Sequence, residues 1–193
     1  MSRVPYQKPL NNGLEKNNRT ANSPKERWNV EKDPIAINWA LANSPKASKA
    51  LLQLGDFIRF RSNLDPRLRE MAILQVAYQS RSSYEWSHHI RISKDFGVTD
   101  ADIKSLIAES TGTNSSLRTS EKALLLAARE CVDTQGISEE TFKVLSAYLN
   151  AELLIDLVLT ITTYCAIAKL IYSLDINVEP NYQQYLELFP LPK

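Results

Sequence analysis

From residue 33 onward, the hydrophobic positions of the chain recur at helical spacing. Leu51, Leu54 and Ile58 stand at i, i+3 and i+7, which places them on one face of a helix. No segment alternates hydrophobic and polar residues between turn dipeptides, as a half-buried strand would. The pattern therefore predicts an all-α fold, a compact bundle of helices joined by short loops.

Residues that begin and end helices divide this pattern into segments. The pairs Asp33-Pro34, Ser44-Pro45 and Asp65-Pro66 each place a capping side chain before a proline at the first helical position. Gly97 suits the left-handed residue that follows a helix, and Ser82 or Ser83 caps the helix before it. The first predicted helix ends at about residue 43. The following ones run over about 45–62, 66–80, 83–96, 100–109, 120–134, 138–149 and 151–174.

Both ends of the chain differ in composition from this central region. Residues 1–32 are rich in Asn, Lys, Pro and Ser, which predicts a flexible arm that wraps a neighbouring subunit or stays solvated. Residues 33–176 form one predicted helical domain. Residues 177–193 hold three prolines and are predicted to be an extended tail whose aromatic and leucine side chains dock on the body or on another subunit.

Charge and hydropathy exclude several classes of protein. The formal net charge of the 193 residues is +1, so no overall positive field is available to hold a nucleic acid or an anionic membrane. Residues 153–174 are long enough to span a bilayer, but Asp156 and Lys169 favour a buried helix of a soluble protein. With no signal-peptide pattern and two widely separated cysteines, the sequence predicts a cytoplasmic protein without membrane or nucleic-acid partners.

The two histidines of the chain lie side by side in the segment SSYEWSHHIRIS, residues 82–93. Glu85 and His89 are four residues apart, so their side chains can meet on one face of a helix, and a carboxylate raises the pKa of an imidazole. This pair could move protons near neutral pH. Two structural alternatives stay open: Ser82 and Glu85 have the spacing of a capping box, and His89 could be a hydrogen-bonded core residue.

Metal and cofactor signatures are weak in this sequence. Glu85 and His88 have the spacing of a di-iron ligand pair, but there are no further histidines for the second pair that such a site needs. The five glycines are scattered singly, and neither a phosphate-binding loop nor a Gly-x-Ser-x-Gly elbow occurs. We therefore predict no metal and no cofactor.

Residues 64–107, LDPRLREMAILQVAYQSRSSYEWSHHIRISKDFGVTDADIKSLI, resemble the carboxymuconolactone decarboxylase family, which includes the alkylhydroperoxidase D (AhpD) proteins. The peroxidase branch carries Glu, then Cys-x-x-Cys-x-x-x-His, and these positions fall on Glu70, Ser82, Glu85 and His89. Both redox cysteines are missing, so a disulfide cycle at these positions has no support. The resemblance is therefore closer to the decarboxylase branch.

The resemblance implies an all-α subunit of the AhpD-like type that forms trimers or hexamers, or dimers. It implies a cofactor-independent lyase, decarboxylase or isomerase acting on a small unsaturated carboxylated or lactone substrate, in which His89 held by Glu85 donates a proton. Glu70 would be a partner base or would support this pair. The expected substrate-binding residues are Arg69, Arg81, Ser82, Tyr84 and Trp86, with Arg59 as a further candidate for a substrate carboxylate.

Two other functions remain open at this stage. The chain could be a non-catalytic oligomeric member of the family, in which the same helix serves packing alone. It could also be a peroxidase-like antioxidant protein, which would need Cys131 or Cys165 near His89.

Overall fold

The structure is a computed structural model that describes residues 2–9 and 35–192, and this part of the chain is helical and contains no strand. The prediction of an all-α fold is confirmed. The helices are α1 (Ala36–Leu41), α2 (Pro45–Phe60), α3 (Pro66–Gln79), α4 (Ser83–Lys94), α5 (Asp100–Ser110), α6 (Thr119–Asp133), α7 (Glu139–Ser146), α8 (Ala151–Leu174), a 3-10 turn (Pro180–Tyr182) and α9 (Gln183–Leu188).

Helix α3 is the centre of the bundle and packs against α4, α6 and α8. Every residue from Arg69 to Tyr78 is buried, so the helix has no solvent-facing side over most of its length. A helix surrounded by neighbours gains by being apolar all round, and the sequence MAILQVA meets that need with small and medium-sized side chains. Any polar side chain on α3 is therefore held within the core.

Capping side chains begin most of these helices where the sequence places them. Asp65 accepts a hydrogen bond from the Leu68 N–H, Thr99 and Asp102 form a reciprocal capping box, and Asn150 accepts from the Leu153 N–H. Gly97 has the predicted left-handed conformation, with a φ of +92°, although α4 ends at Lys94, before the predicted end at residue 96. Helix α6 differs: its cap residue is Arg118, whose N–H is satisfied by the carboxylate of Glu121 three residues later.

Helix α8 is long and apolar enough to cross a membrane, and about half of its most apolar stretch is buried within the protein. It packs against α3, α6 and α7, and the buried carboxylate of Asp156 accepts a hydrogen bond from the Ser62 hydroxyl at 2.6 Å. Helix α8 therefore packs as a core helix of the bundle, as Asp156 and Lys169 in its sequence predict.

The ends of the chain lie against the bundle. The Arg3 N–H donates to the Leu174 carbonyl at 2.8 Å and the Gln7 N–H donates to the Trp39 carbonyl, so residues 2–9 contact the same chain. Most of the predicted arm, and the Asp33-Pro34 cap, lie outside the described residues. The carboxyl-terminal tail is not simply extended, because Pro180 begins a 3-10 turn that continues into α9.

The first N–H groups of helix α1 donate hydrogen bonds to residues that are distant in the sequence. Its cap residue, Ile35, has no side-chain oxygen to offer. The Ala36 N–H instead donates to Glu179 Oε1 at 2.6 Å, and the Ile37 N–H donates to the Tyr84 hydroxyl at 3.1 Å. A six-residue helix with no cap of its own is thus held by residues from α4 and from the carboxyl-terminal segment.

Candidate active site

The centre of the candidate site is a hydrogen bond between α3 and α4. His89 Nδ1 lies 2.9 Å from Glu70 Oε2, and Glu70 is completely buried. The other oxygen of Glu70, Oε1, accepts from Arg69 Nε at 3.2 Å and from a terminal nitrogen of the same guanidinium at 3.1 Å. A buried carboxylate is stable only when it is paired, and here Arg69 supplies the opposite charge.

The pKa values of this pair define its resting state. Burial favours the neutral acid, but the hydrogen bond with His89 and the positive charge of Arg69 hold the pKa of Glu70 below its usual value. Burial lowers the pKa of His89, and Glu70 offsets this only in part. The pair is thus a carboxylate and a neutral imidazole. Since an anionic Glu70 can only accept, Nδ1 of His89 carries the proton and Nε2 carries the lone pair.

This arrangement corrects the prediction that Glu85 holds His89. Neither carboxyl oxygen of Glu85 has a hydrogen-bond partner among the described residues, although both are buried. The capping box is also incomplete, because the Ser82 hydroxyl accepts from the Glu85 N–H at 3.5 Å but the Glu85 carboxyl makes no return bond. The i,i+4 spacing permitted contact within α4, but the imidazole turns to the charged carboxylate on α3 instead.

Glu85 is therefore an unpaired acid inside the protein. Burial raises its pKa well above the usual value, and the neighbouring Ser82 hydroxyl opposes this shift. Burial thus favours the neutral carboxylic acid, which can donate a hydrogen bond or a proton.

Tyr164 of α8 completes the group, and sequence reasoning did not select it. Its ring meets the imidazole of His89 edge-on, with the centroids 4.9 Å apart. Burial raises the pKa of Tyr164, the charge of Arg59 lowers it, and the negative charge of Glu70 raises it further. A tyrosine in a long apolar helix was the only sequence signal for this position.

The expected substrate-binding residues occupy different places. Arg69 is buried, bound to Glu70 and stacked 4.5 Å over the Phe96 ring, so it is not placed to hold a substrate. Trp86 is fully buried, and its Nε1 donates to the Phe189 carbonyl at 2.7 Å. Arg81 lies at the surface in the left-handed region with a φ of +53°, and its carbonyl accepts from the Tyr172 hydroxyl.

The remaining two, Ser82 and Tyr84, line a groove of about 200 Å³ at the start of α4. The other side of this groove is formed by Tyr172 near the end of α8 and by residues 175–178. Ser82 itself is almost fully buried. A larger groove of about 420 Å³ lies between residues 2–6 and residues 177–180. Neither Glu70 nor His89 lines these two grooves.

The second histidine belongs to a different cluster. His88 Nε2 lies 2.7 Å from Glu179 Oε2, and the imidazole is sandwiched between Tyr182, at 3.6 Å, and Tyr84, at 4.2 Å. The motif YEWSHH thus divides: His89 contacts α3 and α8, whereas Tyr84 and His88 contact the carboxyl-terminal segment.

The cysteines also bear on the chemistry. Cys131 and Cys165 are free and partly buried. Burial raises the pKa of Cys165 to about 11, with smaller contributions from the charges of Cys131 and Glu85, so these three groups lie near one another. In the described part of the chain, no cluster of three or more His, Cys, Asp or Glu side chains is arranged to hold a metal ion. The absence of a cofactor stays a prediction.

Comparison with known families finds one similarity. The model of the carboxymuconolactone decarboxylase family matches residues 45–130, which include Glu70, Glu85 and His89. This part of the chain is therefore similar to the carboxymuconolactone decarboxylase family. Helices α1, α7, α8 and α9 lie outside the match, so Tyr164 and Glu179 are additions from beyond it.

Solved structures share the fold at low sequence identity. A protein of unknown function from Agrobacterium tumefaciens, described as a candidate AhpD antioxidant defence protein, has a TM-score of 0.62 at 19% identity, covering 75% of this chain and 98% of its own. A cysteine-to-alanine variant of the debrominase Bmp8, in complex with 2,3,4-tribromopyrrole, has a TM-score of 0.67 at 18% identity. The match covers 78% of this chain and 80% of the debrominase chain.

A peroxidase-related AhpD core protein from Ralstonia eutropha JMP134 has a TM-score of 0.62 at 16% identity, with 78% and 79% covered. No curated protein sequence matches the chain. These structures place the decarboxylase-family region of this chain in the AhpD-like fold.

Proposed function

We propose that this chain is a carboxymuconolactone decarboxylase-like, cofactor-independent enzyme that moves protons on a small unsaturated acid or lactone. The observation that carries the proposal is the buried Glu70–His89 pair, together with the buried acid Glu85 four residues before His89 on the same helix. Burying an ionised carboxylate and an unpaired carboxyl costs stability, and groups with such shifted pKa values concentrate at functional sites.

The pair supplies a base and Glu85 supplies an acid. Neutral His89, oriented by Glu70, accepts a proton through Nε2. Neutral Glu85, with the Tyr164 phenol nearby, donates a hydrogen bond to an oxygen that becomes negative. This division differs from the prediction of His89 as the donor, because burial lowers the pKa of the imidazole.

In a decarboxylation, the bond to the carboxylate carbon breaks and CO₂ leaves. The electron pair moves into an adjacent unsaturated carbonyl to give a dienolate, and Glu85 then protonates the carbon. In an isomerisation, His89 removes a proton from one carbon and Glu85 delivers one to another. Both reactions balance without an oxidant or a reductant, and Arg59 would hold the substrate carboxylate.

The experiment is a substrate screen with matched histidine variants. β-Keto acids and carboxylated lactones are assayed for CO₂ release, and carbonyl compounds are assayed in D₂O for deuterium uptake by NMR. On any substrate found, His89→Gln should lower kcat by about 10²-fold or more, whereas His88→Gln should lower it less than about tenfold. Equal losses in the two variants would contradict the proposed role of His89.

A thiol-based, peroxidase-like activity is the second candidate. It is favoured by the closeness of Cys165 to Cys131 and Glu85, and opposed by burial, which raises the pKa of both thiols. A hydroperoxide assay on the Cys131→Ser/Cys165→Ser variant decides between them: loss of activity supports the thiol mechanism, and full activity excludes it.

A non-catalytic role is the third candidate, favoured by the two grooves that neither Glu70 nor His89 lines. If the screen finds no substrate and His89→Gln lowers stability or disrupts assembly, this role replaces the enzymatic one.

We propose further that the protein is a homo-oligomer. Helices α6, α7 and α8, with the loop between α7 and α8, expose apolar side chains that a monomer would leave in water: Leu126, Phe142, Val144, Tyr148 and Ile155. Light scattering after size-exclusion chromatography tests this, with a trimer or hexamer expected. Ile155→Asp should shift the mass towards the monomer, and Glu140→Gln on the same surface should not. A cytoplasmic location stays part of the proposal.

A further inference from the structure

A second, smaller hydrophobic core lies apart from the main core around α3. It is formed by α1, the start of α4, the end of α8 and the segment that follows α8. Its buried side chains are Ala36, Ile37, Ala40, Tyr84, Ile171 and Ile176. Val4 and Val178 pack against its edge, so residues near both ends of the chain contribute to this small core.

Three segments around the small core are called here the terminal cover: residues 2–9, α1 and residues 175–182. The Arg3 N–H donates to the Leu174 carbonyl at 2.8 Å, which joins the first segment to the end of α8. Helix α9 is not part of the cover, because its Tyr185 packs against the main core. The whole cover lies outside the part of the chain that the family model matches.

One carboxylate joins the cover to the motif helix α4. Glu179 Oε2 pairs with His88 Nε2 at 2.7 Å, and Glu179 Oε1 accepts from the Tyr84 hydroxyl at 3.2 Å. Oε1 also accepts from the Ala36 N–H at 2.6 Å, while the Tyr84 hydroxyl itself accepts from the Ile37 N–H at 3.1 Å. Glu179 thus holds α1 and α4 at the same time.

The contacts of Glu179 depend on its charge. Burial raises the pKa of Glu179, but the hydrogen bonds from His88 and from the Ala36 N–H outweigh burial and hold the pKa below its usual value. Hydrogen bonds to an ionised carboxylate are stronger than those to a neutral acceptor. The Glu179 side chain is 23% exposed, so water can replace its donors when the contacts break.

We propose that the terminal cover opens and closes over α4 as one unit while the main core stays folded, and that Glu179 is its latch. Elements that share a small core of their own open at a lower free energy than the main core of a protein. Opening bares Tyr84 and His88, which are buried when the cover is closed, on the helix that carries His89. This inference goes beyond the proposed function and does not depend on it.

Hydrogen exchange of the intact protein, followed by NMR, tests whether the cover is one unit. Each of its three segments offers a hydrogen-bonded N–H group as a probe. The Arg3 N–H is bonded to Leu174, the Ile37 N–H to Tyr84, and the Ile176 N–H to the Ile171 carbonyl. The N–H groups of residues 72–76 in α3 report on the main core.

Glu179→Gln keeps the shape of the side chain and removes its charge. It should speed the exchange of all three probes by a similar factor, about tenfold or more, because the opened cover becomes more populated. Exchange in residues 72–76 should stay as in the parent. Glu187→Gln removes a carboxylate from an exposed position of α9 and should change none of these rates.

Ile37→Ala tests the coupling from the apolar side. The substitution shortens a side chain of the small core and leaves every contact of Glu179 in place. If the cover is one unit, Ile37→Ala should also speed the exchange of Arg3 and Ile176. If Glu179→Gln does not fold, Tyr84→Phe takes its place, since it removes one donor to Glu179 and keeps the ring in the small core.

Two results would overturn the unit: faster exchange confined to the segment that carries the substitution, or an equal acceleration in residues 72–76. Unchanged exchange of the probes in Glu179→Gln would overturn the latch. Because the readout is hydrogen exchange, a negative substrate screen leaves this result standing, and a failed exchange test leaves the roles of Glu70 and His89 to their own variants.

Discussion

His89 Nδ1 and Glu70 Oε2 are 2.9 Å apart, although the two residues are on different helices and nineteen positions apart in the chain. The same carboxylate also pairs with Arg69, so one buried side chain satisfies a guanidinium and an imidazole together. This arrangement makes Glu70 the residue on which both the charge balance of the core and the tautomer of His89 depend.

Glu70→Gln should therefore destabilise the protein severely. The substitution leaves the buried guanidinium of Arg69 without an anion, and removing one partner of a buried ion pair typically costs about 3–5 kcal/mol. Urea unfolding measures the free energy of unfolding, and His89→Gln, which keeps an amide near Glu70, serves as the control. A loss below about 1 kcal/mol in Glu70→Gln would show that Arg69 finds another partner.

Glu85→Gln should stabilise the protein above about pH 5. The pKa of Glu85 is raised in the folded state, so the unfolded chain releases this proton more readily, and stability falls as the pH rises from the ordinary pKa of the carboxyl towards its folded value. The amide cannot ionise, so this fall disappears in the variant. Unfolding curves at pH 4 and pH 8 measure the difference, and Glu85→Gln is expected to be more stable than the parent at pH 8.

A parallel fall in stability with pH in the parent and in Glu85→Gln would contradict the raised pKa. Glu187→Gln, at an exposed position, provides the matched control and should change neither curve.

Cys165 should react slowly with alkylating reagents at neutral pH. Burial raises the pKa of its thiol to about 11, and the thiolate is the reactive form. The rate of modification by iodoacetamide, followed on the Cys131→Ser variant, should rise about tenfold per pH unit and level off near that value. A plateau near pH 8.5, as for an unperturbed cysteine, would revive the thiol mechanism.

Glu121 should contribute to stability at neutral pH and lose that contribution in acid. Its hydrogen bond with Arg118, together with that of Arg67, lowers its pKa to about 2. A lowered folded pKa stabilises above the ordinary value, and this is lost as the pH falls from about 4.5 to about 2. Glu121→Gln should lower the free energy of unfolding by roughly 1–3 kcal/mol at pH 7, measured by urea unfolding. The variant should also lose less stability than the parent as the pH falls. If it loses as much, groups other than Glu121 cause the loss of stability in acid.

The helices could be predicted from the sequence because their signals are local. Asp65 before Pro66, Thr99 with Asp102, and Gly97 act within one turn, and the structure places helix ends at these residues. The tail was harder to predict, since α9 has six residues and is held mainly by contacts with distant α4.

The site was only partly predictable for the same physical reason. Spacing along α4 offered Glu85 as the partner of His89, but it carries no information on which carboxylate is ionised and held by an arginine on a neighbouring helix. The family resemblance did supply Glu70. Glu179 had no signal, because its partner His88 lies 91 positions away and neither residue belongs to a local pattern.

The capping of α1 by Glu179 and Tyr84 has a consequence for synthesis on the ribosome. The carboxylate that accepts the Ala36 N–H is added 143 residues after Ala36 itself. A helix this short does not persist without its end contacts. Helix α1 should therefore form only after Glu179 has been added and has left the ribosome, and a chain that stops before Glu179 should leave α1 unformed.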